Sequence, residues 1–166
     1  LKPGCVDNAK TIWWDIRLHP FFDTIEFRIC DAQSRVDDTI ALAALMQAIV
    51  AKLQKLRDQN TTFRSYPRRL LEENRWRAAR YGIDGKMIDF GRRCEVDERE
   101  LLDEMLSFVA TEMDELGSQA ELAHLNRIMR EGTGADRQLA VWEATHDLKA
   151  VVDQIVRETY DGLDLA

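Results

Sequence analysis

The chain has 166 residues, 45% of them hydrophobic and 32% charged, with a formal net charge of −7. That composition is ordinary globular material; it excludes a disordered or membrane-embedded chain and makes nucleic acid a poor candidate partner. The longest apolar run, Ile40–Met46, is far short of the roughly 20 residues a membrane span needs.

No basic-plus-apolar secretory leader opens the chain, and the three cysteines, Cys5, Cys30 and Cys94, show no CxxC spacing. An odd, unspaced set argues against a disulfide framework or a zinc site and fits a reducing, cytoplasmic setting. The first residue is Leu1 rather than Met, which raises the expectation of a processed product or a piece of something larger. Charge is unevenly spread: residues 1–90 carry 15 Lys and Arg against 12 Asp and Glu, and residues 91–166 carry 8 against 18.

The first predicted elements are two alternating runs, Trp13–Leu18 and Thr24–Asp31, either side of a turn carrying Pro20. Successive strand side chains point to opposite faces. Asp15 and Arg17 therefore share one face of the first strand, and Thr24, Glu26, Arg28 and Cys30 one face of the second. Trp14 and Ile16, and Ile25, Phe27 and Ile29, form the opposite, apolar faces. Two readings of the charged face stand side by side. Cross-strand ion pairs of a half-buried hairpin need no function; equally, a carboxylate and a guanidinium side by side suit a metal ion and an anion bound together. A two-stranded hairpin is marginal alone and needs more sheet or helices to pack on.

Next comes a strongly apolar helix to about Arg57, with Asp37 and Asp38 at its N-terminus, expected to lie buried against the sheet. Pro67 opens a helix to about Tyr81, stopped by Gly82. Ile83–Glu95 reads as an irregular loop with room for a short turn or strand. Asp97 starts a third helix, with Glu100 at a capping-box-like spacing, and Gly117 ends it. A shorter helix follows to about Glu131, using Leu122, Leu125, Ile128 and Met129. Gly132-Thr133-Gly134 breaks it, and one long helix is predicted from about Asp136 to Tyr160. Trp13, Trp14, Trp76 and Trp142 are read as core, Cys30 as a small packed residue, and His19, His124 and His146 as structural or surface groups. The fold class is α+β, a hairpin over residues 1–34 followed by a helical part over 35–166.

The order IWWDIRLHPFFDTIEFRICDAQ, an Ala/Leu-rich helix, ENRWRAARYG, then GTGADRQ resembles the carboxylate–amine ligase family. That family is also called type 2 glutamate–cysteine ligase and belongs to the glutamine-synthetase-like superfamily. The resemblance runs over nearly the whole chain and is to the C-terminal part of one catalytic domain. It implies an antiparallel hairpin of a glutamine-synthetase-like sheet. It also implies ATP and Mg²⁺ as cofactors, and glutamate or another carboxylate and an amine such as cysteine as substrates. Because the family's opening strand, with further metal-binding glutamates, is absent here, the resemblance further implies an N-terminal half or a partner chain that completes the site. A homo-oligomer stays open.

By the same resemblance, the Ile25-Glu26-Phe27-Arg28 pattern makes Glu26 a Mg²⁺ ligand and Arg28 an anion contact, with Arg17 a second anion contact. Asn74, Arg75 and Arg77 form either a wall of a nucleotide or acidic-substrate pocket, or a solvated helix face balanced by Glu72 and Glu73. Arg137 either reaches the substrate or faces solvent, and Thr133 either caps the final helix or sits in a plain connector. A non-catalytic helical interaction module and an inactive family member are the alternatives to an active ligase.

Overall fold

A computed structural model describes residues 8–162, which divide between Ala32 and Gln33 into two compact units. Cys5 lies outside the described residues. The architecture is α+β, with two small antiparallel hairpins and six helices among the described residues. No helix is long and apolar enough to cross a membrane.

The first unit holds a 3₁₀ turn at Ala9–Thr11 and the strands β1 (Ile16–Leu18) and β2 (Ile25–Phe27). They are shorter than the alternating runs that contain them, and they pair antiparallel with Arg17 opposite Glu26, Ile16 opposite Phe27 and Leu18 opposite Ile25. The ladder continues one step on each side: the His19 amide donates to the Thr24 carbonyl (3.0 Å), and the Arg28 amide to the Asp15 carbonyl (2.7 Å). Between the strands, His19 Nδ1 accepts from the Phe21 and Phe22 amides and shapes the turn. Both strands lie within the predicted alternating runs. The predicted core is not observed: Trp14, Ile16, Leu18 and Ile25 are exposed, Trp13 is 81% exposed, and Cys30 is exposed rather than packed.

The second unit is built on α1 (Val36–Asp58), which packs against α3 (Glu98–Leu116) and α4 (Gln119–Glu131). Ala41, Ala44 and Ala48 on α1 are buried, so the small side chains let α3 and α4 approach closely. Ala41 meets Leu106 and Leu125, and Ala48 meets Val109 and Met113. Glu112, buried in the same stripe of α3, is held by Lys52 and Lys55 of α1, each at 3.2 Å. The residues with no position in this core include Trp76 and Trp142, both exposed.

Ile83–Glu95 is not an irregular loop throughout. After α2 (Arg68–Tyr81) and a 3₁₀ turn, β3 (Lys86–Asp89) and β4 (Cys94–Asp97) form a second hairpin, with Met87 opposite Val96. Both of those side chains are buried. Asp97 occupies the N-cap of α3 in extended conformation but makes no side-chain cap bond, and Glu100 pairs with Arg92 instead (2.8 Å). The long final helix is two helices, α5 (Gly134–Thr145) and α6 (Leu148–Tyr160), packed on each other. His146 takes a left-handed conformation at the break (φ 50°), and Asp147 caps α6 through the Lys149 amide.

Candidate functional site

Three of the predicted residues come together on the first hairpin. Because Arg17 and Glu26 are cross-strand partners, their side chains rise from one face, and the β-period of two puts Arg28 beside them. Arg17 Nε donates to Glu26 Oε2 at 2.6 Å and its Nη2 also meets that oxygen, while Arg28 Nη1 donates to Oε1 at 3.3 Å. Arg17 Nη1 reaches the Lys10 carbonyl (2.8 Å), which fixes the guanidinium from a second direction. The Arg17 side chain is only 14% exposed, whereas those of Glu26 and Arg28 are 37% and 36% exposed. Both guanidinium groups therefore converge on the one Glu26 carboxylate. A carboxylate has about four lone-pair sites, and Oε1 accepts the longer of the two bonds. Among the described residues no group of three or more His, Cys, Asp or Glu stands together as a metal cage. Glu26 offers hard carboxylate oxygens of the type Mg²⁺ takes, both already bonded to arginine.

The ENRWRAARYG helix is α2, and its candidates are engaged with the second hairpin. Asn74 Nδ2 donates to the Ile88 carbonyl (2.9 Å) and its Oδ1 accepts from the Ile88 amide (2.8 Å). The side chain thereby completes the outer edge of β3 as a further strand would. Arg77 bonds Glu73 (3.0 Å), Glu95 (2.6 Å) and the Lys86 carbonyl (3.2 Å). Those bonds lift the Arg77 pKa, and the Arg77 guanidinium holds the Glu95 carboxyl below its usual range. Arg75 lies on the same helix, between them in sequence.

Arg137 belongs to a different assembly. Thr133 and Asp136 form a capping box at the start of α5, with Asp136 Oδ2 accepting from the Thr133 amide and hydroxyl, each at 2.7 Å. One residue on, Arg137 turns back into the unit. Its Nε donates to Glu158 (2.7 Å), its Nη2 to Asp38 (3.2 Å) and its Nη1 to the Gly132 carbonyl (3.2 Å). Asp38 also meets His124 Nε2 at 2.7 Å, and Glu158 accepts from Gln154 (3.2 Å), from Arg35 (3.3 Å) and from the Ser34 hydroxyl. Asp38 and Glu158 are 2% and 7% exposed. This buried network joins the start of α1 to α4, α5 and α6.

Sequence reading missed Asp38, His124 and Glu158 as a set, although a signal was present. Asp38 stands three residues before Ala41, in register with the apolar stripe of α1, and Glu158 stands three after Ile155 on α6. A charged residue in phase with a buried stripe needs a buried partner.

A family model for glutamate–cysteine ligase family 2 matches residues 1–154. A protein of Solibacter usitatus named "putative glutamate–cysteine ligase 2" is 60% identical over 163 residues, covering 98% of this chain and 42% of its own length. Proteins of the same name from a Roseiflexus species and from Sorangium cellulosum are each 54% identical over 163 residues, again 98% of this chain and 43% and 44% of their own lengths. The chain thus spans less than half the length of these curated relatives.

Proposed function

The chain belongs to glutamate–cysteine ligase family 2, and we propose that it supplies part of the active site of an ATP-dependent ligase joining the side-chain carboxylate of glutamate to an amine such as cysteine. The observation that supports this reading is the Arg17–Glu26–Arg28 cluster. In the proposed reaction the glutamate carboxylate attacks the γ-phosphorus of ATP, forming an acyl phosphate and releasing ADP. The amine nitrogen then attacks the acyl carbon, phosphate leaves, and the nitrogen loses a proton. Each step places negative charge on clustered oxygens, so positioning and electrostatics dominate the catalysis.

Arg28, the more exposed guanidinium with the longer bond to Glu26, is the fork offered to phosphate or substrate carboxylate. Arg17, clamped by Glu26 and the Lys10 carbonyl, is the second cation and holds Glu26 in place. Glu26 is the residue of this chain that would hold Mg²⁺, which would supply charge neutralisation to the phosphate oxygens. On α2, Asn74, Arg75 and Arg77, and on α5 Arg137, stay the residues proposed to line the nucleotide site; Asn74, Arg77 and Arg137 also brace their elements through Ile88, Glu95 and Glu158.

The test is ADP release by the full-length protein with glutamate and a panel of amines. Glu26→Ala is expected to remove Mg²⁺-dependent turnover at least a hundredfold while the circular dichroism melting profile stays as in the parent. Parent-level turnover in that variant overturns the role given to Glu26.

A further inference from the structure

On α2, Arg68 bonds Glu72 (2.7 Å) and Arg77 bonds Glu73 (3.0 Å), but Arg69 and Arg80 have no carboxylate partner among the described residues. On α3, Arg92 takes Glu100 and Glu104, but Asp103 and Asp114 have no cationic partner among the described residues. The Asp114 carboxylate accepts only from the Gln119 side-chain amide (3.0 Å). All four of these unmatched charges are exposed.

The two sets share one spacing. Eleven positions separate Arg69 from Arg80, and eleven separate Asp103 from Asp114. Eleven residues make about three helical turns, or about 16 Å, so each pair stands on one face of its helix at the same separation. Between the arginines, on the same face, projects Trp76, 53% exposed and met edge-on by the Tyr81 ring at 5.6 Å. Between the aspartates lie Ser107 and Ala110, both small and exposed. They line a groove of about 510 Å³ with Asp103 and Asp114, and α4 contributes Asn126 to it.

The helix α2 is thus a ridge reading cation, indole, cation, and the α3–α4 groove reads anion, small residue, anion. With the helices antiparallel, Arg69 meets Asp114, Trp76 meets Ser107 and Arg80 meets Asp103. With them parallel, each arginine meets the other aspartate and Trp76 meets Ala110. Either direction puts a small side chain under the indole. The wider charge agrees: α2 carries five Arg against two Glu, whereas residues 91–166 carry 8 Lys and Arg against 18 Asp and Glu.

We propose that α2 of one copy of this chain docks in the α3–α4 groove of a second copy, with Trp76 as the central anchor and Arg69 and Arg80 paired to Asp103 and Asp114. Helices pack ridge into groove, an aromatic flanked by arginines is a common interface anchor, and arginine–carboxylate forks fix the register. The contact joins two different surfaces of one chain, so it is heterologous. Its face lies about 130° round α2 from Asn74 and Arg75, and it needs none of the chemistry assigned to them or to Glu26.

The test is the mass of the full-length protein in solution, followed by light scattering over the micromolar range. The parent is expected to self-associate. One variant carries Arg69→Glu with Arg80→Glu, another Asp103→Arg with Asp114→Arg. Each should weaken self-association at least tenfold while its circular dichroism melting profile stays as in the parent. Mixed one to one, the two should associate again, because each then offers the other opposite charges at both surfaces. Trp76→Ser should also weaken association at least tenfold, and mixing it with either charge variant should not restore the parent's strength. If a reversed pair melts early, the neutral pair Arg69→Gln with Arg80→Gln carries the same reading, again with a tenfold loss expected. A parent that stays monomeric, an assembly that survives either set of substitutions, or two folded charge variants that stay apart when mixed each overturns the proposal.

Discussion

The Glu158 carboxylate shows how single residues set the behaviour of the helical unit. Burial alone would raise its pKa, but hydrogen bonds from Ser34, Arg137 and Gln154, together with the charge on Arg137, outweigh that and lower it from 4.5 to about 2. The folded chain therefore keeps Glu158 ionised over a range where the unfolded chain takes up a proton. Its contribution to stability is fully present above about pH 4.5 and is lost as pH falls through about 2. Glu158→Gln keeps the shape but cannot accept all the bonds of the carboxylate, and leaving buried donors short costs about 1–3 kcal/mol. In urea unfolding the variant should be less stable than the parent by that amount at pH 7, and the gap should close between pH 4.5 and 2. A gap that stays constant over that interval would show that the network does not hold the carboxylate ionised. At this scale the sequence was half informative. The hairpin charges were partly legible: β-periodicity places Glu26 and Arg28 on one face of their run, and the folded register adds Arg17. The Asp38–Arg137–Glu158 set was not, because its members lie 21 and 99 positions apart, and only the folded helices bring them together.

At the scale of elements, local chemistry decides where helices begin and end. Thr133 was open between a cap and a plain connector, and it is a cap: its hydroxyl accepts from the Asp136 amide at 3.4 Å and donates to the Asp136 carboxylate, while Asp136 accepts from the Thr133 amide. Thr133→Ala removes the hydroxyl and is expected to cost about 1 kcal/mol, the usual loss for such a cap, read as a lower urea midpoint with an unchanged slope. Because α5 carries Arg137, the same substitution should also speed amide exchange in its first turn. The break between α5 and α6 was illegible for a related reason. His146 has no sequence preference strong enough to announce a left-handed residue, and the apolar periodicity runs on through it. The β3–β4 hairpin was hidden because Lys86–Asp89 and Cys94–Asp97 are four residues each, too short for an alternation to stand out. Its stability comes instead from Met87 and Val96 packing underneath and from Asn74 completing the edge.

The molecule as a whole joins two units of very different build, and that difference predicts where it opens first. The helical unit has a continuous core in which α1, α3 and α4 bury Ala41, Ala48, Leu106, Val109, Met113 and Leu125. The hairpin unit has three cross-strand pairs and an apolar face that is exposed, with Ile16 at 54% and Leu18 at 70%. An isolated two-stranded hairpin is marginal in water, and opening free energies within one protein run from near zero to the global value according to local burial. The Arg17–Glu26 pair does little to alter this, since partly exposed ion pairs contribute about 0–1 kcal/mol. In native-state hydrogen exchange on this chain, the Arg28 and His19 amides, which close the β1–β2 ladder, should exchange at least a hundredfold faster than the amides of Ala48 and Val109. Raising the salt concentration to 1 M should widen that difference, because it screens the Arg17–Glu26–Arg28 cluster and leaves the apolar core intact. Equal protection of the two sets would mean that the hairpin draws stability from more than its own strands. In that case the charged cluster would already be held rigid in this chain, and the orientation of Arg28 toward an anion would need no further segment to fix it.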